Sequence, residues 1–344
     1  MQLAPSAFTA VLLIPTGIGA RIGGFAGDAL PVARALSTVV DCLITHPNVL
    51  NGANLYWSCP NILYVEGYAL DRWAEGTWQI QPVLTNRIGV ILDRDIPPDL
   101  QLRHRQVIGA ARATLGLNIL EPVVTPEGLG VHLQAGSSSA SWGTIAHPQM
   151  LLATAQTLIQ QGAQAIAVVS WFPSDNPHWQ AQIQKYRQAQ AIDPLAGVEA
   201  VISHLVTREL RIPCAHAPAL PPLPLDPTVA DRSCAEELGF TFLPCVLVGL
   251  SRAPQIVCQG GIDRHQVQAV ITPLSACGGS GLLSLASLPQ VQIIAIADNQ
   301  TAMAVPPQAV GIVPPQLIQV ANYLEAIGVL SAMKAGVHWQ SLML

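Results

Sequence analysis

Residues 10–28, AVLLIPTGIGARIGGFAGD, join a short apolar run to a glycine-rich turn, and this stretch decides the fold. Residues 268–281, QAVITPLSACGGSG, repeat the arrangement late in the chain. A buried strand that ends in glycines and leads into a helix exposes main-chain N–H groups, which suit an anionic ligand. Open parallel sheets bind ligands beyond the carboxyl ends of their strands. We therefore expect the two turns to meet at one pocket for an anion.

Short apolar strands alternate with amphipathic helical stretches along the chain. The predicted strands are Ala10–Pro15, Arg87–Leu92, Ala163–Trp171, Ile212–Ala215, Gln268–Pro273 and Val291–Ala297. The predicted helices are Pro31–Cys42, Pro98–Leu117, His147–Gln161, Pro194–Leu210, Val229–Leu238 and Gln316–Ala335. This alternation predicts an α/β fold, with mainly parallel sheets flanked by helices and two lobes with a cleft between them. We place the lobes at residues 1–145 and 146–344, with a proline-rich crossing at residues 218–227.

The composition is poor in charge. Charged residues make up 11% and apolar residues 50% of the 344 positions, and the mean hydropathy is +0.40. Such a chain buries much of its surface in parallel sheets or in subunit interfaces, so we expect a homo-oligomer. The net charge of −5 and the absence of any Lys/Arg cluster in the sequence argue against nucleic acid as a partner.

The sequence gives no indication of a membrane span, a disulfide framework or a metal site. Its apolar stretches are shorter than the ~20 residues of a spanning helix, and the amino terminus lacks the basic region of a secretory signal. The seven cysteines include no Cys-x-x-Cys pair, which favours free thiols in a reducing compartment over a zinc cage. We therefore expect a cytoplasmic protein.

The first glycine turn supplies seven candidate ligand-binding residues. They are Thr16, Gly17, Gly19, Arg21, Gly23, Gly24 and Asp28. Because position 22 is isoleucine and no Gly-Lys-Ser/Thr follows, neither a dinucleotide nor a P-loop fingerprint is present, and the cofactor stays unknown. We expect a main-chain cradle for carboxylate or phosphate, with Arg21 as its fork-shaped donor. The alternative is a tight turn that needs positive φ and close packing.

A polar cluster follows within residues 44–52. His46 is a candidate proton shuttle, and Asn48 and Asn51 are candidates to orient a polar ligand. The alternative is structural, because asparagines also cap helices and occupy turn positions. The sequence leaves both interpretations open.

Two cysteines are candidates for chemistry. Cys214 and His216 stand at positions i and i+2 of a predicted strand, so they point to the same face and are placed for an ion pair that lowers the thiol pKa. Cys277 precedes a predicted helix start, where the helix dipole favours a thiolate. In both cases the alternative is plain packing of a small side chain.

The second glycine turn adds further candidate contacts. Gly278, Gly279 and Ser280 offer N–H groups to an oxyanion, and Asn299 closes the next strand beside them. The serine-rich segment at residues 136–143 is a weaker candidate for phosphate, since such segments are commonly flexible loops.

Several of these stretches resemble an uncharacterised family of cyanobacteria and plant chloroplasts, a domain of unknown function. They are residues 14–29, 43–52, 214–218, 242–245 and 276–281, so the resemblance covers nearly the whole chain. It implies a cytoplasmic or stromal protein of photosynthetic cells and brings no activity with it. A looser similarity to two-thiol racemases would give the two roles to Cys214 and Cys277, but neither is followed by the Asn-Thr or Thr-His of that family.

The sequence leaves open whether the protein is an enzyme. One hypothesis is an enzyme that binds a small anionic metabolite in an interlobe cleft, with Cys277, Cys214, His216 and His46 as candidates for thiol- or imidazole-assisted isomerisation, racemisation or hydrolysis. The alternative is a non-catalytic metabolite sensor or an oligomeric assembly factor in which the same loops bind a ligand.

Overall fold

A computed structural model describes residues 7–51, 58–135, 141–172, 177–221, 225–237 and 242–343. Its strands are β1 (Thr9–Leu12), β2 (Cys42–Thr45), β3 (Ile62–Tyr64), β4 (Gln79–Gln81), β5 (Ile88–Leu92), β6 (Val123–Val124), β7 (Val131–Ala135), β8 (Ser141–Ile145), β9 (Ala165–Trp171), β10 (Cys214–Ala219), β11 (Gln255–Val257), β12 (Val267–Pro273), β13 (Gln292–Ile296) and β14 (Leu317–Val320).

The helices separate these strands along the chain. They are α1 (Leu30–Ser37), α2 (Pro47–Leu50), α3 (Gly67–Ala74), α4 (Pro98–Leu115), α5 (Pro148–Gln160), α6 (Pro177–Arg187), α7 (Ala196–Leu210), α8 (Asp231–Glu237), α9 (Phe242–Ser251), α10 (Ser280–Ala286) and α11 (Tyr323–Lys334). No described helix has both the length and the apolar character needed to cross a membrane.

The larger sheet has six parallel strands in the order β14-β13-β12-β1-β2-β3. Its central strands β1 and β12 lie side by side, with Val11 opposite Val270. All four residues of β1 are buried, because helices cover both faces of the sheet. The two glycine-rich turns therefore leave the same edge of the sheet from neighbouring strands.

The second sheet has four parallel strands in the order β10-β9-β5-β6. Two small antiparallel pairs, β4 with β11 and β7 with β8, lie outside these sheets. The predicted α/β class with parallel sheets flanked by helices is thus confirmed.

Both parallel sheets contribute to one hydrophobic cluster. Leu12 of the larger sheet and Val90 and Val169 of the smaller one belong to it, together with Leu247 of α9. Each sheet also takes strands from both sides of residue 145. The lobe boundary at residues 145/146 and the cleft between two lobes stay predictions.

The closing segment differs from its prediction as one helix over Gln316–Ala335. Leu317–Val320 form the edge strand β14, which pairs with β13, and the helix begins only after Asn322. The Asn322 side chain accepts hydrogen bonds from the N–H groups of Leu324 and Glu325, which caps α11. The four residues of β14 and the helix that follows them are both mainly apolar, so the hydrophobic periodicity of the sequence does not mark the boundary between them.

Candidate functional site

A cavity of about 200 Å³ lies where the turn after β1 and the end of β2 face β10 and the helices α3, α6, α7 and α9. Its titratable lining residues are His46, Glu66, Tyr186, Arg187, Asp193, Glu199, His204, His216 and Cys245. Three carboxyl groups and three imidazoles around so small a volume mark it as the candidate site, because proton transfer needs such groups within reach of one ligand.

His216 stands on β10 and is held at both ring nitrogens. Nδ1 lies 3.1 Å from the Ser203 hydroxyl oxygen, and Nε2 lies 3.4 Å from a carboxylate oxygen of Glu199. The Ser203 hydroxyl donates to Glu66 at 3.0 Å, so Nδ1 of His216 donates to Ser203. This assignment leaves Nε2 of His216 as the ring atom that faces the Glu199 carboxylate.

Glu66 links this arrangement to α3 and to a second imidazole. One carboxylate oxygen caps α3 by accepting from the Tyr68 N–H at 3.1 Å, and the other accepts from Ser203 and lies 3.2 Å from Nε2 of His204. Burial alone would lower the pKa of His204, but the hydrogen bond and charge of Glu66 raise it above its usual value. Ser203 therefore joins two imidazole–carboxylate pairs.

Asp193 enters the cavity from the loop before α7. Its carboxylate accepts a hydrogen bond from the Leu195 N–H at 2.9 Å. Burial, with the nearby charge of Glu199, raises the pKa of Asp193 to about 7. Near neutral pH this carboxyl group is therefore present in both protonation states, as a general acid or base needs to be.

His46 directly follows β2 and lines the same cavity. Its Nε2 accepts the main-chain N–H of Ile14 at 3.1 Å, and burial lowers its pKa to about 4. The imidazole is therefore neutral at physiological pH. A proton shuttle must gain and lose a proton near the working pH, so this imidazole does not fit the shuttle role that the sequence indicated.

The asparagines that follow hold the local structure. Asn48 donates from its amide nitrogen to the carbonyl oxygens of Ile14 and Gly23, at 3.0 and 2.7 Å. Asn51 accepts from the Tyr64 hydroxyl at 3.2 Å. Both residues line the cavity, and these hydrogen bonds use the Asn48 Nδ2 and Asn51 Oδ1 atoms for the protein's own structure.

The first glycine turn reaches the cavity with three of its predicted residues, which are Thr16, Gly17 and Gly24. No hydrogen bond between described residues uses the main-chain N–H of Thr16 or Gly17. The Gly23 N–H instead donates to Asp28 at 2.6 Å, and Arg232 pairs with the same carboxylate. The Asp28 carboxylate thus occupies one donor of the predicted anion site, and the N–H groups of Thr16 and Gly17 stay open.

Three further predicted residues lie away from this cavity. Gly19 packs beside Ile192, and Arg21 is exposed while its N–H donates to the Gln300 carbonyl. Asn299 is buried. Its Oδ1 accepts a hydrogen bond from the Ile22 N–H, and its Nδ2 donates one to the Ile22 carbonyl oxygen. Asn299 therefore fastens the first turn to the sheet.

Cys214 shares the α7-facing side of β10 with His216, as the strand period requires, but the two make no hydrogen bond. Burial raises the pKa of the Cys214 thiol well above its usual value. The expectation of a lowered thiol pKa at Cys214 is therefore wrong, because the sulfur packs among the apolar side chains of α7.

The second glycine turn is closed by α3. Cys277 is 0% exposed, and burial raises the pKa of its thiol to about 11, opposite to the thiolate expected there. Ser280 donates to the Asp71 carboxylate at 2.7 Å, and the Gly281 N–H bonds the same group. Gly278, Gly279 and Ser280 do not line the cavity. The structure thus corrects the expectation of one pocket between both turns.

Sequence reasoning missed Glu66, Asp193, Glu199, Ser203 and His204. Glu199 and Ser203 are spaced i, i+4 on α7, a helix whose other buried residues are apolar except Thr207, and that spacing was the available signal. The serine-rich candidate at residues 136–143 lies outside the described residues up to position 140. Within the described ranges, no three His, Cys, Asp or Glu side chains are grouped as a metal site requires.

The comparisons with known proteins agree with the resemblance seen in the sequence. Residues 9–343 match the family described as "Protein of unknown function (DUF3326)". The chain is 54% identical over 333 residues to a protein of Synechococcus sp. (strain PCC 6301) named an uncharacterized lipoprotein, covering 95% of this chain and 91% of that one. The chain therefore belongs to the DUF3326 family, which has a cyanobacterial member.

Proposed function

We propose that the protein is an enzyme that binds a small carboxylate- or phosphate-bearing metabolite in the cavity and moves a proton on it with His216 and Asp193. The reaction is an isomerisation, racemisation or hydrolysis, since each needs one group to take a proton and one to return it. The observation that carries the proposal is the placement of His216, Glu199 and Asp193 together at one cavity.

The proton inventory of the cavity supports this role. Nε2 of His216 lies 3.4 Å from the Glu199 carboxylate, and the Ser203 hydroxyl fixes the orientation of the imidazole ring through Nδ1. Asp193 takes up and releases a proton near neutral pH. A ligand held between these groups has an acid and a base available without any large movement of the protein.

The anionic part of the ligand has donors in the same cavity. Arg187 is the lining residue with a permanent positive charge within the described part of the chain, and it is buried. Its guanidinium already donates to Gln184 and lies 3.8 Å from the Asp226 carboxylate, so it contributes charge to the cavity rather than an unpaired donor. The open N–H groups of Thr16 and Gly17 add neutral donors. This proposal assigns no chemistry to the thiols of Cys214 and Cys277, because neither residue lines the cavity.

Turnover in heavy water tests the proposal. A screen of carboxylates and phosphates by thermal stabilisation identifies a ligand, and proton transfer is then followed as deuterium incorporated from D₂O or as product formed. We expect His216→Asn to slow the reaction by about 10²–10⁴-fold and Glu199→Gln by less. Thr207→Val is the matched control, since Thr207 lies one turn after Ser203 on α7 and its hydroxyl has no partner among the described residues.

Full turnover in His216→Asn would refute the catalytic assignment. Ligand-dependent stabilisation without product or deuterium incorporation would instead support the rival function, a metabolite sensor. The two outcomes are separable because the sensor needs binding at the cavity but no proton transfer.

We further propose a homo-oligomer in the cytoplasm, or in the stroma of plastid-bearing relatives. The low charge and the exposed Leu84 and Leu324 support a subunit interface. Light scattering on the purified protein tests the assembly, and cell fractionation tests the location. A monomer at micromolar concentration would contradict the proposed oligomer. Recovery in the membrane fraction would contradict the proposed location.

A further inference from the structure

His46 has a fixed tautomer. A main-chain N–H can only donate, so Nε2 of His46, 3.1 Å from the Ile14 nitrogen, must be the unprotonated acceptor. The ring hydrogen of the neutral imidazole therefore sits on Nδ1. Burial lowers the pKa of His46 to about 4, so the ring stays neutral, and protonating Nε2 would also set two donors against each other.

The Nδ1–H group has no acceptor in the part of the chain that the structure describes, although His46 is only 8% exposed. Among the described residues, Nδ1 is not one of the fully buried polar atoms that lack a partner, so this donor is accessible and is able to bind a ligand or an ordered water. His46 lines the cavity, and its Nε2 is directed at Ile14, away from Nδ1.

Two other neutral donors lie at the same end of the sheet. The open N–H groups of Thr16 and Gly17 follow β1, the strand that pairs with β2, and His46 follows β2. All three residues line the cavity. Uncharged N–H groups that line one cavity are the kind of donors that form an oxyanion hole, in which such groups stabilise negative oxygen.

We propose that Nδ1–H of His46, with the main-chain N–H groups of Thr16 and Gly17, binds an oxygen atom of a carboxylate or phosphate ligand. The inference deepens the proposed function and rests on it for the choice of the cavity as the ligand site. It places the anionic oxygen at the ends of β1 and β2, opposite the wall that carries His216. His46 is then a binding residue that keeps its proton, not a shuttle.

The charged and titratable groups that share the cavity with His46 are Glu66, Tyr186, Arg187, Asp193, Glu199, His204, His216 and Cys245. A neutral donor keeps the same hydrogen bond whatever charge these groups carry. We therefore expect Nδ1–H of His46 to persist between pH 5 and pH 8, roughly the range in which an unconstrained imidazole changes charge.

Histidine NMR tests the assignment directly on the whole protein. With ¹⁵N-labelled histidine, we expect His46 to show the neutral Nδ1–H tautomer throughout that range. Malonate or inorganic phosphate should shift the Nδ1–H resonance in a saturable manner, and the stronger of the two identifies carboxylate or phosphate as the preferred group. An Nε2–H tautomer, a charged ring at neutral pH, or no shift with either probe would overturn the assignment.

Two variants measure the contribution of the donor. His46→Gln offers an amide oxygen to Ile14 and an N–H to the ligand, so it should weaken binding of the better probe less than tenfold, whereas His46→Leu should weaken it by about tenfold or more. Equal affinities in both variants and the unchanged protein would overturn the proposal. Failure of the proposed function is visible separately, since it appears as full turnover in His216→Asn with the His46 signals behaving as described.

Discussion

The two glycine-rich turns leave neighbouring strands of one sheet, yet only the first of them lines the cavity. Each turn gives part of its donors to a carboxylate of the protein, since the Gly23 N–H donates to Asp28 and Ser280 and the Gly281 N–H donate to Asp71. Each turn also keeps main-chain N–H groups that have no partner among the described residues, which are Thr16 and Gly17 in the first and Gly278 and Gly279 in the second. The comparison teaches that open donors do not make a ligand site unless the fold also places a cavity beside them.

Helix α3 serves both regions through two carboxylates. Glu66, at its start, accepts from Ser203 and pairs with His204 in the cavity wall, and Asp71, one turn later, closes the second turn. Glu66 is buried, and Ser280, the partner of Asp71, is exposed. The first carboxylate should therefore matter more to stability than the second.

The largest expected effect separates these two carboxylates. Glu66→Ala leaves the Ser203 hydroxyl, the Tyr68 N–H and His204 without their acceptor, so we expect the free energy of unfolding to fall by about 3 kcal/mol. Asp71→Ala should cost about 1 kcal/mol, because water can replace the carboxylate at the exposed Ser280. Urea unfolding of both variants measures the difference. Equal losses would break the distinction between the two regions.

A second prediction compares one glycine from each turn. Gly23 has φ +87°, and an added Cβ would lie 2.5 Å from Ile14 Cγ2, whereas nothing lies within 4 Å of a Cβ at Gly279, which has φ −76°. We expect Gly23→Ala to lower the free energy of unfolding by about 2 kcal/mol and Gly279→Ala to change it by less than about 0.5 kcal/mol. A tolerated alanine at position 23 would show that the first turn is not held as described.

The sequence predicted the strands β1, β5, β9, β10, β12 and β13, but it missed β2 and β3 of the larger sheet and assigned β14 to a helix. Apolar runs such as Ala163–Trp171 are nearly continuous, which is typical of parallel strands buried on both faces, and β9 lies there. The candidate site was predicted only in part. Thr16, Gly17, His46 and His216 do line the cavity.

The rest of the site depends on tertiary contacts that no local pattern encodes. Glu199 and Ser203 look like ordinary polar residues of a helix until α7 is packed against β10 and α3. Cys277 looks like an activated thiol until Asp71, more than 200 positions earlier, is brought to the start of α10. Sequence shows which donors exist, and packing decides which of them stay free.

The smallest expected effect tests the electrostatics of the cavity. The pKa of Asp193 is raised in the folded state, so the folded protein holds this proton more tightly than the unfolded chain, and stability falls as pH rises from about 4 to about 7. Asp193→Asn removes this pH-dependent loss of stability, because asparagine does not ionise. We expect the variant to be more stable by about 1 kcal/mol at pH 8 and unchanged near pH 4, as measured by urea unfolding. Lower stability at pH 8 would contradict the assigned burial of a negative charge beside Glu199.

The most direct test of the account sets the first region against the second with one ligand. The best stabilising compound from the carboxylate and phosphate screen is titrated against the unchanged protein, His216→Asn and Cys277→Ala, with thermal stabilisation and deuterium incorporation from D₂O recorded together. The account predicts that Cys277→Ala keeps both signals and that His216→Asn loses deuterium incorporation. Loss of incorporation in Cys277→Ala with full incorporation in His216→Asn would contradict it.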